Sequence, residues 1–202
     1  MYTLYHCPIT CSTAVLITLE IIGVEHNVEI IDLFQNEQFS EQFLAVNPHG
    51  KVPVLKTDEH ILTQGEAILI HLSQKHPEAA LIPGLATTEG ADALKWLNFV
   101  ASTVHGHFSR VFQPERIANE HEVVKANAEE ELVKLFGLIE QQLQQQSFLA
   151  GSVPTLADYY LAVILGWDRM LSFDLVERFP VLKDYKQSLQ QAQTHSPTLL
   201  SL

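Results

Sequence analysis

Two cysteines, Cys7 and Cys11, stand in the run His6-Cys7-Pro8-Ile9-Thr10-Cys11-Ser12, where a short strand pattern gives way to a helical one. A helix N-terminus leaves backbone N–H groups unpaired and carries the positive end of the helix dipole, so it favours an anion. A thiolate is such an anion, and a thiol placed there can attack a disulfide or meet another sulfur. Free cysteine is equally at home as a small buried hydrophobe, and the segment alone supports both readings. The dipole contributes roughly 0.3 to 1 kcal/mol, which at ~1.36 kcal/mol per pKa unit lowers a thiol of pKa ~8.5 by less than one unit. Fuller activation needs a cation. No Lys or Arg precedes Lys51, so the segment itself supplies none. Tyr5 and Ser12 are rival hydrogen-bond donors near the same thiols, with strand packing and a solvated hydroxyl as their plainer roles.

Three further clusters carry signals. Val52-Pro53 falls inside a strand pattern, and proline there marks either an edge strand or a cis peptide, because it removes a ladder donor. Thr63-Gln64-Gly65 closes a strand and opens a helix, making a second helix N-terminus able to hold an anion, or else an ordinary capping turn. Thr155-Leu156-Ala157-Asp158 reads as a capping box, with Val153 placed as a hydrophobic staple, and is structural. Other chemistries lack their motifs. There is no glycine-rich dinucleotide fingerprint, and Gly50-Lys51 lacks the upstream glycine of a phosphate loop. His105 and His107, two residues apart, point to different sides of a helix, so no metal site is expected.

These residues need elements to hold them. Tyr2 to Tyr5 suits a strand, Cys11 to Ile22 a helix stopped by Gly23, and Val28 to Ile31 a second strand, together a βαβ unit. Ser40 can cap a short helix through Val46, and Asn47-Pro48-His49-Gly50 is a turn by composition. Val52 to Lys56 and His60 to Thr63 read as a hairpin, followed by a helix from Glu66 to His76. The segment 77–87 has two prolines, a glycine and no period, and is read as a linker between a domain at 1–77 and one at 88–202. Beyond it the patterns are helical, over about 88–111, 120–146 and 155–175, with a last helix after Pro180. Gln141 to Gln146 reads as the solvated end of its helix.

Composition narrows the partners. In 202 residues, 24 acids against 12 bases leave a net charge of -12, and residues 1–78 hold three lysines and no arginine against ten acids. Such a field repels phosphate backbones and anionic headgroups, which predicts no nucleic-acid and no membrane partner. The apolar stretch Ala14 to Ile22 is interrupted by Thr18 and Glu20 and falls short of the roughly 20 residues a transmembrane helix needs. With no basic residue ahead of it, no secretory signal is expected, and the chain reads as cytoplasmic with its cysteines reduced.

In this order the pieces resemble the glutathione transferase family across essentially the whole chain. The anchors are Asn47-Pro48-x-Gly50-x-Val52-Pro53, Thr63-Gln64-Gly65-Glu66-Ala67-Ile68 and Thr155-x-Ala157-Asp158. Within the family the sequence is most similar to the bacterial beta class, through the Pro8-to-Cys11 spacing, Trp96-Leu97-Asn98-Phe99 followed by His105 and Phe108, and Trp167. The resemblance implies an α/β thioredoxin-like N-terminal domain and an all-α C-terminal domain. It implies glutathione bound as substrate or cosubstrate, with Cys11 and His105 as catalytic residues and Lys51, Val52, Pro53, Gln64, Gly65 and Asn98 around the tripeptide. It further implies that Pro53 is cis, that the Val52 backbone pairs with the cysteinyl part, that Gln64 and Gly65 hold the γ-glutamyl end, and that the chain is a homodimer.

Departures from the class qualify the transfer. Gly106 follows His105 where the class carries lysine, Leu33-Phe34-Gln35-Asn36-Glu37 lacks its basic residues, and Gln64 replaces a common glutamate. Cys7 directly before Pro8 resembles the reactive position of the omega class, so the two thiols compete. A cysteine here favours thiol transfer or removal of glutathione from a conjugate, with an electrophilic or disulfide second substrate. The alternatives are a non-catalytic binding or regulatory protein of the same fold, or a ligand carrier using His105, Phe108, Phe112 and Trp167.

Overall fold

The computed structural model describes residues 1–202, and the chain divides into two compact units, Met1–Leu81 with Gln193–Leu202, and Ile82–Ala192. Residues 193–202 thus group with the first unit, where the sequence reading carries the helical domain through to 202.

The first unit is built on a four-stranded sheet ordered β2-β1-β3-β4, from β1 (Tyr2–His6), β2 (His26–Ile30), β3 (Val54–Lys56) and β4 (Ile61–Thr63). β1 and β2 run parallel, with Leu4 opposite Val28, and β3 runs antiparallel to both β1 and β4, with Leu55 opposite Leu4 and Leu62. Because β3 is interior, Pro53 is not an edge-strand proline. It lies just before the strand, and the ladder starts at Val54, the first position with an N–H to give after it. The expected hairpin arms are shorter for the same reason.

Helix α1 (Ser12–Ile22) crosses from β1 to β2 and stops at Gly23, whose φ of 74° is the left-handed cap that glycine adopts without a Cβ penalty. Helix α2 (Glu41–Val46) is capped by the Ser40 hydroxyl, which accepts from the Phe43 N–H, and α3 (Gly65–Lys75) packs against α1. Ala14, Val15, Ile17 and Leu19 of α1 and Ile68, Leu69 and Leu72 of α3 are fully buried with Leu4, Val54 and Leu55. The short α10 (Pro197–Ser201) docks on α1. There the Glu20 carboxylate accepts from the Ser196 hydroxyl at 2.5 Å, the Thr198 hydroxyl at 2.6 Å and the Thr198 N–H at 3.1 Å.

The second unit is helical: α4 (Thr88–Asn98), α5 (His105–Phe112), α6 (His121–Leu143), α7 (Leu156–Leu165), α8 (Leu175–Arg178) and α9 (Val181–Ala192). The pattern over 88–111, read as one helix, is interrupted by a π-helical turn at Phe99–Val104. The helix expected over 155–175 ends at Leu165, and a 3₁₀ turn at Asp168–Met170 and α8 replace its second half. All ten residues of α7 are buried, so this helix has no solvent face to give it amphipathic period. Asp158 closes the capping box and does more: its carboxylate accepts from the Thr155 N–H (2.7 Å) and hydroxyl (3.0 Å), the Leu149 N–H (2.9 Å) and the Tyr185 hydroxyl (2.9 Å). Val153 is 61% exposed and is therefore no staple. No helix is long and apolar enough to cross a membrane.

Candidate functional site

The loop from Cys7 to Cys11 joins β1 to α1, and its shape comes from side chains that cap backbone groups. The Ser12 hydroxyl is fully buried and accepts from the Cys7 N–H at 3.1 Å, lies 2.7 Å from His6 Nδ1 and 2.7 Å from the Thr10 hydroxyl, and reaches the Cys7 carbonyl at 3.0 Å. A hydroxyl has one proton to donate and two lone pairs. The set closes when His6 Nδ1–H and Cys7 N–H donate to Ser12, Ser12 donates to the Thr10 hydroxyl, and Thr10 donates to the Cys7 carbonyl at 2.8 Å. Ser12 is thus neither a solvated hydroxyl nor a free donor for a ligand sulfur, since its hydrogen-bonding capacity is used inside the loop. Burial holds His6 well below the ordinary histidine range, at about 4, with Glu20 pulling weakly the other way.

The two thiols separate in environment. Cys7 is buried beside this network, whereas Cys11 is half-buried at the N-cap of α1, with no side-chain capping bond. Its Sγ lies 3.9 Å from the Val52 carbonyl oxygen, a weak S–H contact. Residues 41 apart in sequence are thereby brought together. Val52 precedes Pro53 through a cis peptide, outside the β3 ladder, and is delivered by the turn before it. Buried Asn47 ties that turn, donating from Nδ2 to the Lys51 carbonyl (2.7 Å) and accepting at Oδ1 from the His49 N–H (3.1 Å). Gly50 adopts φ 61°, and a Cβ there would stand 3.0 Å from the Gln38 carbonyl oxygen. The Lys51 side chain itself is exposed. Tyr5 is half-buried with its ring 5.7 Å from that of Phe43, which is the strand-packing role.

Gln64 is exposed at the N-cap of α3 with φ 69° and ψ 113°, and Gly65 begins the helix. A non-glycine residue at such φ costs of order 1–3 kcal/mol and persists where the surroundings hold it, commonly at ligand sites. Ile9, beside the cysteines, is one of three further instances, with Asn36 and Ala80, and its φ of 66° is a clear outlier for a β-branched residue. Both helix N-termini that the sequence singles out therefore follow a strained residue. Glu66, in the first turn of α3, has its carboxyl pushed up by burial.

In the second unit, His105 is the first residue of α5, directly after the π turn. Its Nδ1 lies 3.0 Å from the Tyr160 hydroxyl, and its ring is 5.0 Å from that of Trp167. Asn98 ends α4, exposed, its Nδ2 donating back to the Leu94 carbonyl at 3.0 Å. Phe108 and Trp167 are buried, with rings 5.4 Å apart, and Phe112 stacks on both. Phe108 and Trp167 are packed core, while His105 and Phe112 are half-buried. His6, Asn47, Ile9 and Tyr160 are the participants that sequence reasoning missed. Only Asn47 carried a local signal, since Asn before Pro-x-Gly is a turn former.

Comparison with known proteins agrees with this architecture. Residues 1–74 match the sequence model of the glutathione S-transferase N-terminal domain and residues 99–191 that of the C-terminal domain. The chain is 29% identical over 174 residues to glutathione S-transferase GstA of Escherichia coli O157:H7, covering 85% of each. It superposes on the bacterial beta class glutathione S-transferase of Sphingomonas chungbukensis with TM-score 0.82 at 31% identity, over 98% of this chain and 96% of that one. A sphingomonad glutathione S-transferase complexed with glutathione gives TM-score 0.83 at 28% identity, with the same coverage. With a thioredoxin-like sheet unit and a helical unit both matched, the chain belongs to the glutathione S-transferase family.

Proposed function

We propose that this protein is a glutathione-dependent transferase that binds glutathione on the sheet unit and brings its sulfur to Cys11. The observation that carries the reading is the meeting of the Cys11 thiol, at the α1 N-terminus, with the Val52 carbonyl at 3.9 Å. The carbonyl and N–H of Val52, outside the sheet ladder, offer main-chain partners for a tripeptide. Strained Gln64 and Gly65 open α3, and their helix N-terminus suits the α-carboxylate of a γ-glutamyl group. Lys51 and Asn98 complete the proposed binding set and His105 the catalytic one. Support for Cys11 over Cys7 is exposure: Cys7 is sealed at 6%, and a thiol must be reached to react. A homodimer in the cytoplasm is the proposed state, and exposed Ile30, Phe34 and Phe39 on the sheet unit supply apolar surface for assembly.

The step that distinguishes the cysteine reading is thiol exchange. The Cys11 thiolate attacks one sulfur of glutathione disulfide, the S–S bond breaks, a Cys11–glutathione disulfide forms and glutathione thiolate leaves. Intact mass after incubation with glutathione disulfide is expected to show one glutathionyl adduct on the wild type and on Cys7→Ala, and none on Cys11→Ala. Adduct on Cys11→Ala but not on Cys7→Ala would move the reaction to Cys7. Glutathione binding without adduct, and without turnover of an aryl halide, would leave a binding protein of the transferase fold.

A further inference from the structure

At the start of β1, away from the two cysteines, a second set of chemistry-bearing side chains meets inside the sheet unit. Tyr2 opens β1 and His6 closes it, so at ~3.3 Å per residue the two ends of the strand stand ~13 Å apart. Helix α3 ends at Lys75 because Pro77 cannot continue it, and the residue before a proline is pushed out of helical backbone. His76 accordingly adopts φ -128° and ψ 62°, and Pro77–Ala79 forms a 3₁₀ turn that carries Glu78. Two hydrogen bonds follow. The Tyr2 hydroxyl lies 3.0 Å from His76 Nε2, and His76 Nδ1 lies 3.2 Å from Glu78 Oε1.

The carboxylate fixes the direction of both. An ionised carboxylate only accepts, so Nδ1–H donates to Glu78, and Nε2 of the neutral ring is left to accept the phenol proton. A hydroxyl within hydrogen-bond reach of an imidazole that a carboxylate orients in turn is the arrangement by which a general base activates a nucleophile. Burial, with the nearby Glu59 charge, pushes the Tyr2 phenol above its ordinary range, so it stays protonated at neutral pH and needs a base in order to react. Tyr2 and His76 are half-buried and Glu78 is exposed, which places the set at the surface of the unit.

We propose that Tyr2 is a nucleophilic acyl-acceptor site, with His76 as its general base and Glu78 as the positioning residue. The Tyr2 oxygen attacks the carbonyl carbon of an activated ester while the phenol proton passes to His76 Nε2. The ester C–O bond breaks, its electron pair leaves with the alkoxide or phenolate, and O-acyl Tyr2 remains. The Glu78 carboxylate balances the imidazolium that forms. No thiol takes part, and the reaction stands apart from the glutathione chemistry proposed above.

The probe is p-nitrophenyl acetate on the full-length protein at pH 8. Acetylated residues are located by peptide fragmentation, so that reaction at lysines, cysteines and the N-terminal amine is counted separately. General-base assistance is worth about 10²–10⁴-fold, and Tyr2 is expected to gain acetyl at least about tenfold faster than N-acetyltyrosinamide does in the same buffer. His76→Gln is the discriminating variant, because its amide oxygen can still accept the Tyr2 hydrogen bond but cannot take the proton away. Acetylation of Tyr2 should fall at least about tenfold in that variant, and Glu78→Gln should give a smaller fall. A Tyr2 rate no greater than that of N-acetyltyrosinamide overturns the proposal, and that measurement needs no variant to fold. A wild-type rate in His76→Gln overturns it as well, and leaves the bond between Tyr2 and His76 as a tie from β1 to the end of α3.

Discussion

Acid should loosen the first unit through His6, and the size of the effect follows from its burial. His6 ends β1 with 4% of its surface exposed, and its imidazole is held at about 4 chiefly by loss of solvation. In the unfolded chain a histidine titrates near ~6.5. Between those values the unfolded state binds more protons than the folded one, so stability rises with pH across this window. The contribution is complete above ~6.5 and is lost progressively as pH falls through about 4. The difference of roughly 2.5 units at ~1.36 kcal/mol each sets a ceiling of ~3 kcal/mol. Water reaching the protonated ring reduces this toward ~1–2 kcal/mol, since buried sites behave as if their dielectric were nearer 20 than 4. The matching variant is His6→Asn, whose amide can replace the Nδ1–H donor to Ser12 and does not titrate. Urea unfolding of both proteins at one chain concentration, at pH 7.5, 6, 5 and 4.5, separates His6 from the other acid-sensitive groups. The wild type should lose ~1–2 kcal/mol more than the variant between pH 7.5 and 4.5, with the divergence starting below ~6.5. Parallel curves would refute the argument, because they would mean that folding does not hold the imidazole neutral.

Two further outcomes test the same way of reasoning. Ser12→Ala strips the buried hydroxyl that satisfies the Cys7 N–H and His6 Nδ1, leaving two polar groups unpaired at ~1–3 kcal/mol each in the worst case. Urea unfolding should show a loss of ~2–4 kcal/mol, and a fully stable Ser12→Ala with lowered glutathione activity would return Ser12 to the role of ligand donor. Asp158→Asn places an amide where a carboxylate takes four donors, so at least one donor meets an N–H. A loss of ~2–4 kcal/mol in the unfolding of the second unit is expected, and a loss below ~0.5 kcal/mol would show that those four bonds contribute little net.

Much of the architecture follows from signals that act over a few residues. Gly23 ends α1 because the chain needs positive φ there, Ser40 caps α2 because its oxygen reaches an N–H three residues on, and Asp158 closes its box across one turn. Such rules operate within ~3–4 positions and are written wherever the residue types occur. The spacing of Asn47-Pro48-x-Gly50, Thr63-Gln64-Gly65 and Thr155-x-Ala157-Asp158 likewise sufficed to point to the family.

Burial and long-range partnership were decided only when the chain closed on itself. Nothing in the string Cys7 to Ser12 says that Ser12 is sealed and Cys11 reachable, since that depends on what α3 and the Val52 loop cover. Residue types at Val52-Pro53 allow an edge strand or a cis peptide, and the place of β3 between β1 and β4 excludes the edge. The helix over 88–111 has good periodicity, yet it carries a π turn that packs against α7, and His105 after it meets a tyrosine 55 residues away. Glu20 likewise faces Ser196 and Thr198 across 176 and 178 residues. A pairing of that kind has no period and no motif, because its free energy comes from solvent excluded by the folded units rather than from any local preference of the backbone.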